Sequence, residues 1–326
     1  MSEQNAQIKK VVSQLIAVLN SRNREIISLR FGLKTGRKET LESIGQSHKI
    51  TRERVRQIEE ASLAQIRNNA LASVQPFADL AKEILESHGG VANERDLFEK
   101  FSGSSQDSAV NAALVFALTL QGNLHRSPED DDFHTFWALS SDHADQFQAR
   151  VADFIGTLEK PKQIASDAVA SYLSVSKNIG KNVFGEIGLN SWAEIRPRGV
   201  RDKSYLVLKK EGKPRHFRDI TGLINETGFG NRKAHVQTVH NELIKDDRFV
   251  LVGRGIYGLA EWGYEPGTVK QVIANLLRKE GAQSKDKIIA HVMSSRMVKS
   301  NTVVLGMQDR NLFRENENGH IALKDA

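Results

Sequence analysis

A chain of 326 residues, 39% apolar and 26% charged, has the composition of a folded protein of several domains and not of a disordered or fibrous one. No stretch approaches the ~18 apolar residues of a membrane span and no charged-then-apolar leader opens the chain, so a cytoplasmic, nucleoid-associated protein with no membrane partner is expected. The absence of cysteine excludes disulfides, thiolate metal sites and cysteine nucleophiles.

The net charge of +6 is unevenly placed. Residues 1–72 hold 13 Lys/Arg and 7 Asp/Glu, whereas 73–326 hold 33 of each. Within the latter, 73–145 carry 4 basic and 13 acidic residues. A duplex would repel that acidic segment, so it is expected to meet protein or solvent, while the nucleic-acid signature gathers at the N-terminus.

In chain order, Ile8, Val11, Val12, Leu15, Ile16 and Leu19 recur at helical spacing and predict a helix over 8–19. A second helix is expected from about Ser21 to Phe31, ending before the loop Gly32–Gly36. The stretch Thr40 to Arg67 reads as two helices with a tight break. Thr40 caps the first, with Leu41 and Ile44 on its apolar face. The break falls around Gly45 to Ile50. Thr51 caps the second helix, which sets Val55, Ile58, Ser62 and Ile66 on one inward stripe. Its other face carries Arg52, Glu53, Arg54, Arg56 and Gln57.

A helix-turn-helix lays its second helix in the major groove with N-terminal residues on base edges. Arginine reads guanine, glutamate accepts from cytosine and glutamine reads adenine, so Arg52, Glu53, Arg56 and Gln57 are the candidate base readers. The competing reading is a solvated charged face, against which cap, break, core stripe and polar face all agree.

The pieces RFGL, TLE-IG and TRERVRQIE, in this order and spacing, make residues 1 to about 72 resemble region 4 of the housekeeping bacterial sigma factors. The resemblance implies a −35-like double-stranded DNA target and RNA polymerase as partner. It also implies that the two leading helices support the reading helix and present a face to polymerase. Arg22 and Arg30 align with family arginines that hold phosphates, with plain surface arginines as the alternative. Thr51 and Arg54 would hold phosphates or position the helix. The chain starts at region 4, so it is not expected to initiate transcription alone as a full sigma factor does.

Past Ala70 the pattern changes, and Pro76 is expected to mark a boundary. All six prolines fall at or near pattern breaks, so none is expected inside a periodic helix. A weak repeat follows, beginning at Leu80, Tyr205 and Val272. Each copy reads as helix, glycine-containing turn, helix, a further helix and two short β-like runs, which is the plan of a winged helix. The turns Gly253-Arg254-Gly255 and Glu317-Asn318-Gly319 suit hairpins. Residues 146–199 look like a less regular unit, with helices at 148–158 and 164–173 and a third beginning at Ser176. GKPRHFRDI and DDRFVLVGRGIYGLAEW make 200–262 resemble the HARE helix-turn-helix domain, a winged-helix-type module known from the RNA polymerase delta subunit, chromatin proteins and some restriction systems.

The expected architecture is mainly α with short β-hairpins. It divides into a helix-turn-helix over 1–72, an acidic winged helix over 73–145, a helix-turn-helix-like unit over 146–199, a HARE-like unit over 200–263 and a last winged helix over 264–326.

No cofactor or metal site is expected. His235 and His240 are five residues apart and fall on different helix faces. The Gly253–Gly255 run lies between β-like segments, and Glu129 to Asp132 lack calcium-loop spacing and read as a solvated hairpin tip. No catalytic motif or small-molecule site stands out, so no enzyme is expected. Two further basic groups are candidate secondary DNA contacts, though many winged helices bind protein instead: Lys177, Asn178 and Lys181 on the expected third helix of the middle unit, and Arg232, Lys233 and His235 opening a helix of the HARE-like unit. The functional expectation is a promoter-reading transcription factor associated with RNA polymerase. The alternatives are a delta-like polymerase accessory subunit acting through protein contacts and the DNA-recognition subunit of a nuclease or restriction system.

Overall fold

The computed structural model describes residues 2–164 and 167–324. The chain folds as two compact units: residues 1–181 with 186–191, and residues 182–185 with 192–326. Both are mainly helical with small antiparallel sheets.

The first unit opens with α1 (Ser2–Ile16) and α2 (Ser21–Phe31), the latter capped by Asn20 and closed by left-handed Gly32. Next come α3 (Leu41–His48) and α4 (Arg52–Ser87). The helix-turn-helix forms as its sequence dictates. The Thr40 and Thr51 side chains accept from the Ser43 and Arg54 N–H groups, and Lys49 ends α3 in the left-handed region at φ 56°. At Gly45 a Cβ would sit 2.8 Å from the Ile50 carbonyl oxygen, so the turn closes there only around glycine. Ile26, Ile44 and Val55 form the buried centre of this element.

The boundary expected at Pro76 does not exist. α4 runs unbroken for 36 residues with Pro76 inside it. A proline in a helix interior costs about 3 kcal/mol through its missing N–H and its ring clash. Here the ring lies on the exposed side, while Val74, Phe77, Ala78, Ala81 and Leu85 are buried on the other. Burying one Val, Leu or Phe side chain contributes roughly 1.5–3 kcal/mol, so the face outweighs the proline.

The same core crosses the expected boundary at residue 72. α4 leads to β1 (Val91–Asn93), α5 (Glu94–Ser102), α6 (Ala109–Gln121), β2 (His125–Ser127) and β3 (Phe136–Ala138), with sheet order β1-β3-β2. Ile8, Val12, Phe31 and Ile66 share one buried cluster with Leu97, Phe101, Leu114, Phe116 and Trp137. Phe31 meets Phe116 edge-on at 5.0 Å between centroids. Arg67 donates to the carbonyls of Thr119 and Leu120, which capture the C-terminal end of α6. Gly36, at φ 80°, lies against the Ser108 backbone at a distance that would put a Cβ 2.7 Å from it.

The middle segment also departs from expectation. α7 (Ser141–Gly156) and α8 (Asp167–Val175) form, the latter matching the helix expected over 164–173 except that residues 165–166 lie outside the described residues. The third helix expected from Ser176 is instead a hairpin, β4 (Ile179–Lys181) paired with β5 (Ile187–Leu189). Isoleucines and glycines there favour a tight strand pair over a helix. This segment is no separate helix-turn-helix. Strand alternation sends Ala92 and Trp137 into the cluster shared with α1 and α6, and Val91, Phe136 and Ala138 into a second cluster with Phe147, Val151, Val175 and Ile179. Residues 192–199 belong to the second unit.

That second unit holds two winged helices. The first comprises α9 (Val200–Glu211), β6 (Arg215–His216), α10 (Phe217–Thr227), α11 (Val236–Lys245), β7 (Phe249–Gly253) and β8 (Ile256–Leu259), in sheet order β6-β8-β7. The second comprises α12 (Val269–Glu280), α13 (Lys285–Ser295), α14 (Ser300–Met307), β9 (Phe313–Glu315) and β10 (Ile321–Leu323). A Gln283–Ile321 bridge replaces its third strand. Arg296 joins the two: buried, it donates to the carbonyls of Leu251, Glu265 and Gly267, while the Met297 N–H donates to Val252. Among the described residues, no helix is long and apolar enough to cross a membrane.

Candidate nucleic-acid interface

The first turns of α4 carry the expected reading set. Thr51 as cap and Val55 as inward anchor fix the helix's rotation, with Val55 fully buried. Glu53, Arg54, Arg56 and Gln57 are exposed, because residues one and two positions from a buried anchor point away from it, and Arg52 is exposed at the helix's first position.

These side chains also organise one another. The Arg56 fork holds Glu53 on two nitrogens, at 2.9 and 2.7 Å, and also pairs with Glu60. The hydrogen bond and charge of Arg56 keep the Glu53 carboxyl below the usual carboxylate range. Arg54 donates to the Gln57 side-chain oxygen at 3.1 Å. The face therefore presents two guanidinium groups, two carboxylates and an amide in one surface network, with Arg52 beside it. That combination of donors and acceptors matches the edges of base pairs in a major groove.

The two arginines expected to hold phosphate are placed differently from each other. Arg22 is exposed and donates one N–H to the His48 carbonyl at the end of α3, which ties α2 to the turn. Arg30 is engaged. Its Nε donates to Glu59 at 2.9 Å and its Nη1 to the Glu39 carbonyl, with the side chain 33% exposed. In the free protein Arg30 thus braces α2 against α4. Residue spacing gives no sign of this, because Glu59 lies 29 residues away.

The secondary groups also move. Lys177 and Asn178 are not on a helix. The Lys177 ammonium donates to the Asp130 carbonyl at 2.6 Å and pairs with Glu129 at 2.7 Å, and Asn178 donates to Asp132. They brace the acidic hairpin tip, and the hydrogen bond and charge of Lys177 lower the Glu129 carboxyl. Lys181 ends β4 and is exposed. Arg232 and Lys233 lie exposed in the loop before α11, and His235 stands at its N-cap without a side-chain capping bond. His240 stacks on Phe217 at 4.3 Å. Among the described residues, no three His, Asp or Glu side chains are grouped to hold a metal ion.

One cluster escaped sequence reasoning. Glu94 at the start of α5 accepts from Arg126 at 2.6 and 2.8 Å and from the Trp137 indole at 3.0 Å. Burial alone would raise this carboxyl. The bonds and charge of Arg126, with Lys38 and Trp137, outweigh that and hold it below the usual range. The Lys38 ammonium, from the loop before α3, is lowered by burial and by Arg126. This network ties that loop to the winged helix behind it.

Comparison with known proteins places the reading helix in a family context. The family model for sigma-70, region 4 matches residues 15–68. RNA polymerase sigma factor RpoS of Coxiella burnetii is 43% identical over 65 residues, covering 20% of this chain and 18% of that protein. Sigma factor SigA1 of Synechococcus elongatus is 41% identical over 61 residues, 19% of this chain and 15% of the relative. SigA of Clostridium acetobutylicum is 41% identical over 66 residues, again 19% of this chain and 18% of the relative. The chain thus spans under a fifth of the length of each of these relatives.

Proposed function

We propose that this chain, whose residues 15–68 form a sigma-70 region 4, is a DNA-binding transcription factor that reads a −35-like promoter element and associates with RNA polymerase. One observation carries the reading: the capped, core-anchored helix-turn-helix exposes Arg52, Glu53, Arg56 and Gln57 together on the first turns of α4. In this account those four read base edges, while Arg22, Thr51 and Arg54 set register on the phosphates. Sigma-factor relatives over the same segment support a polymerase partner.

The acidic surface favours a second reading beside the first. Residues 73–191 hold 9 Lys/Arg and 17 Asp/Glu, a balance that a duplex repels. This part of the chain meets protein, in the manner of a polymerase accessory subunit. Hydroxyl-radical footprinting on a promoter fragment tests the reading, with and without polymerase. The proposal expects protection centred on the −35 region by the chain alone, extended when polymerase is present. Uniform protection along the fragment would overturn it.

A further inference from the structure

The charge that balances to zero over residues 73–326 is separated in the fold. Residues 73–191 carry the acidic excess, whereas 192–326 hold 24 Lys/Arg and 16 Asp/Glu. The second unit is therefore the most basic body of the protein, exceeding the +6 of residues 1–72.

Much of that charge is committed. Arg248 is taken by Asp202 and Asp246, Arg215 by Glu211, Lys270 by Asp309, Lys285 by Glu315, and Arg296 by backbone carbonyls. Among the described residues, the cations with no carboxylate partner include Arg218, Arg232, Lys233 and Arg254, all exposed. The elements that carry Arg218 and Arg254 converge. Phe217, at the start of α10, stacks on His240 of α11 at 4.3 Å. The wing glycine Gly255 presses on His216 and Phe217, so that a Cβ there would lie 2.7 Å from the His216 ring. The wing turn with Arg254, the first turn of α10 with Arg218, and α11 thus meet around one ring. Arg232 and Lys233 lie in the loop that leads into the N-terminus of α11.

α11 itself is a suitable reader. Val239 and Leu243 are its buried positions. At 100° per residue, Gln237, Asn241 and Ile244 fall on the opposite side, and all three are exposed, Ile244 to 63%. Gln237 and Asn241 sit one turn apart with their amides bonded at 3.0 Å. Asn and Gln pair with adenine N6/N7, and aliphatic groups meet the thymine methyl.

We propose that the α11–wing face is a second duplex-binding surface, in which α11 enters a major groove and offers Gln237 and Asn241 to A·T pairs. Arg218, Arg232, Lys233 and Arg254 hold the flanking phosphates. This goes beyond the reading of α4 and stands independently of it.

The test uses the full chain with α4 and its phosphate contacts silenced by Arg22→Ala, Arg52→Ala, Arg54→Ala and Arg56→Ala, so that failure here is distinct from failure at the head. Its binding to a 30-bp duplex is followed by anisotropy from 50 to 200 mM salt. Salt-dependent binding is expected. Adding Arg232→Ala, Lys233→Ala and Arg254→Ala should reduce the log–log salt slope by about 2.7, at about 0.9 per phosphate contact. All three side chains are exposed, and an unchanged melting temperature verifies the fold. Adding Gln237→Ala and Asn241→Ala instead should leave the slope unchanged and abolish preference for sites selected from random duplexes, which are expected to contain A·T pairs. The proposal fails if the α4-silenced chain does not bind duplex, if the basic triple leaves the slope unchanged, or if a 30-nucleotide single strand binds as well. It fails equally if the basic triple abolishes polymerase co-elution while duplex binding persists, an outcome that assigns the face to protein.

Discussion

Phe116→Ala probes the joint between the helix-turn-helix and the winged helix behind it. Phe116 lies on α6, well outside the segment that matches sigma-70 region 4, and it is fully buried. Its ring meets that of Phe31 on α2 edge-on at 5.0 Å. Truncation removes the buried ring and leaves a cavity walled by Phe31, at a cost of about 3–5 kcal/mol. An aromatic pair of this geometry accounts for roughly 0.5–1.5 kcal/mol of such a loss. Against a typical domain stability of about 5–15 kcal/mol, the change is large without being an automatic loss of fold. Native-state hydrogen exchange reads its distribution. If one core spans both parts, the slow amides of α2 and α6 lose protection together, by about 100- to 5,000-fold. If α6 loosens while the α2 amides keep their protection, the shared core is refuted.

Thr51→Ala should destabilise the start of α4 by about 1 kcal/mol, since its hydroxyl accepts the Arg54 N–H; a urea titration reads the loss, and an unchanged midpoint would contradict the capping role. Arg30→Ala should lower stability by about 0.2–1 kcal/mol, the range for a partly exposed pair such as Arg30–Glu59, while leaving the salt slope of DNA binding unchanged; a slope reduced by about one would restore the phosphate role. Glu94 carries a pH dependence. Its folded carboxyl lies below the usual range, so its contribution is fully present above the unfolded value of about 4.3 and is lost as pH falls through the lower folded value. Glu94→Gln should be less stable than the parent at pH 7 and show a flatter decline on acidification; parallel stability–pH curves would contradict this.

The elements that local chemistry specifies were legible in the sequence. Thr40 and Thr51 as caps, the inward Val55 and the glycine-centred wings follow from short-range rules, and the structure has all of them, whereas the break expected from Gly45 is confined to Lys49 and Ile50. What escaped depends on partners distant in sequence. Pro76 reads as a stop by local rules, and only the burial of Phe77, Ala81 and Leu85 in the core that α6 shares overrides it. Arg30 looks like a surface cation until Glu59 is brought beside it. The segment after Ser176 carried a helical expectation as the third element of its unit, whereas its glycines and isoleucines made a hairpin. The neutral sum of residues 73–326 concealed two opposite charges because the unit boundary at residue 191 falls inside the segment read as one unit over 146–199.

The central claim is that the exposed first turns of α4 read a promoter element, and fluorescence anisotropy of the full chain tests it most directly. The assay compares a duplex bearing a −35-type element with a scrambled one, at two salt concentrations, for the parent and Arg56→Ala. The account predicts tighter binding to the element, with the preference reduced about 5- to 150-fold by the substitution, the range for one lost bidentate base contact. Equal affinity for both duplexes, unchanged by removing Arg56, would contradict it.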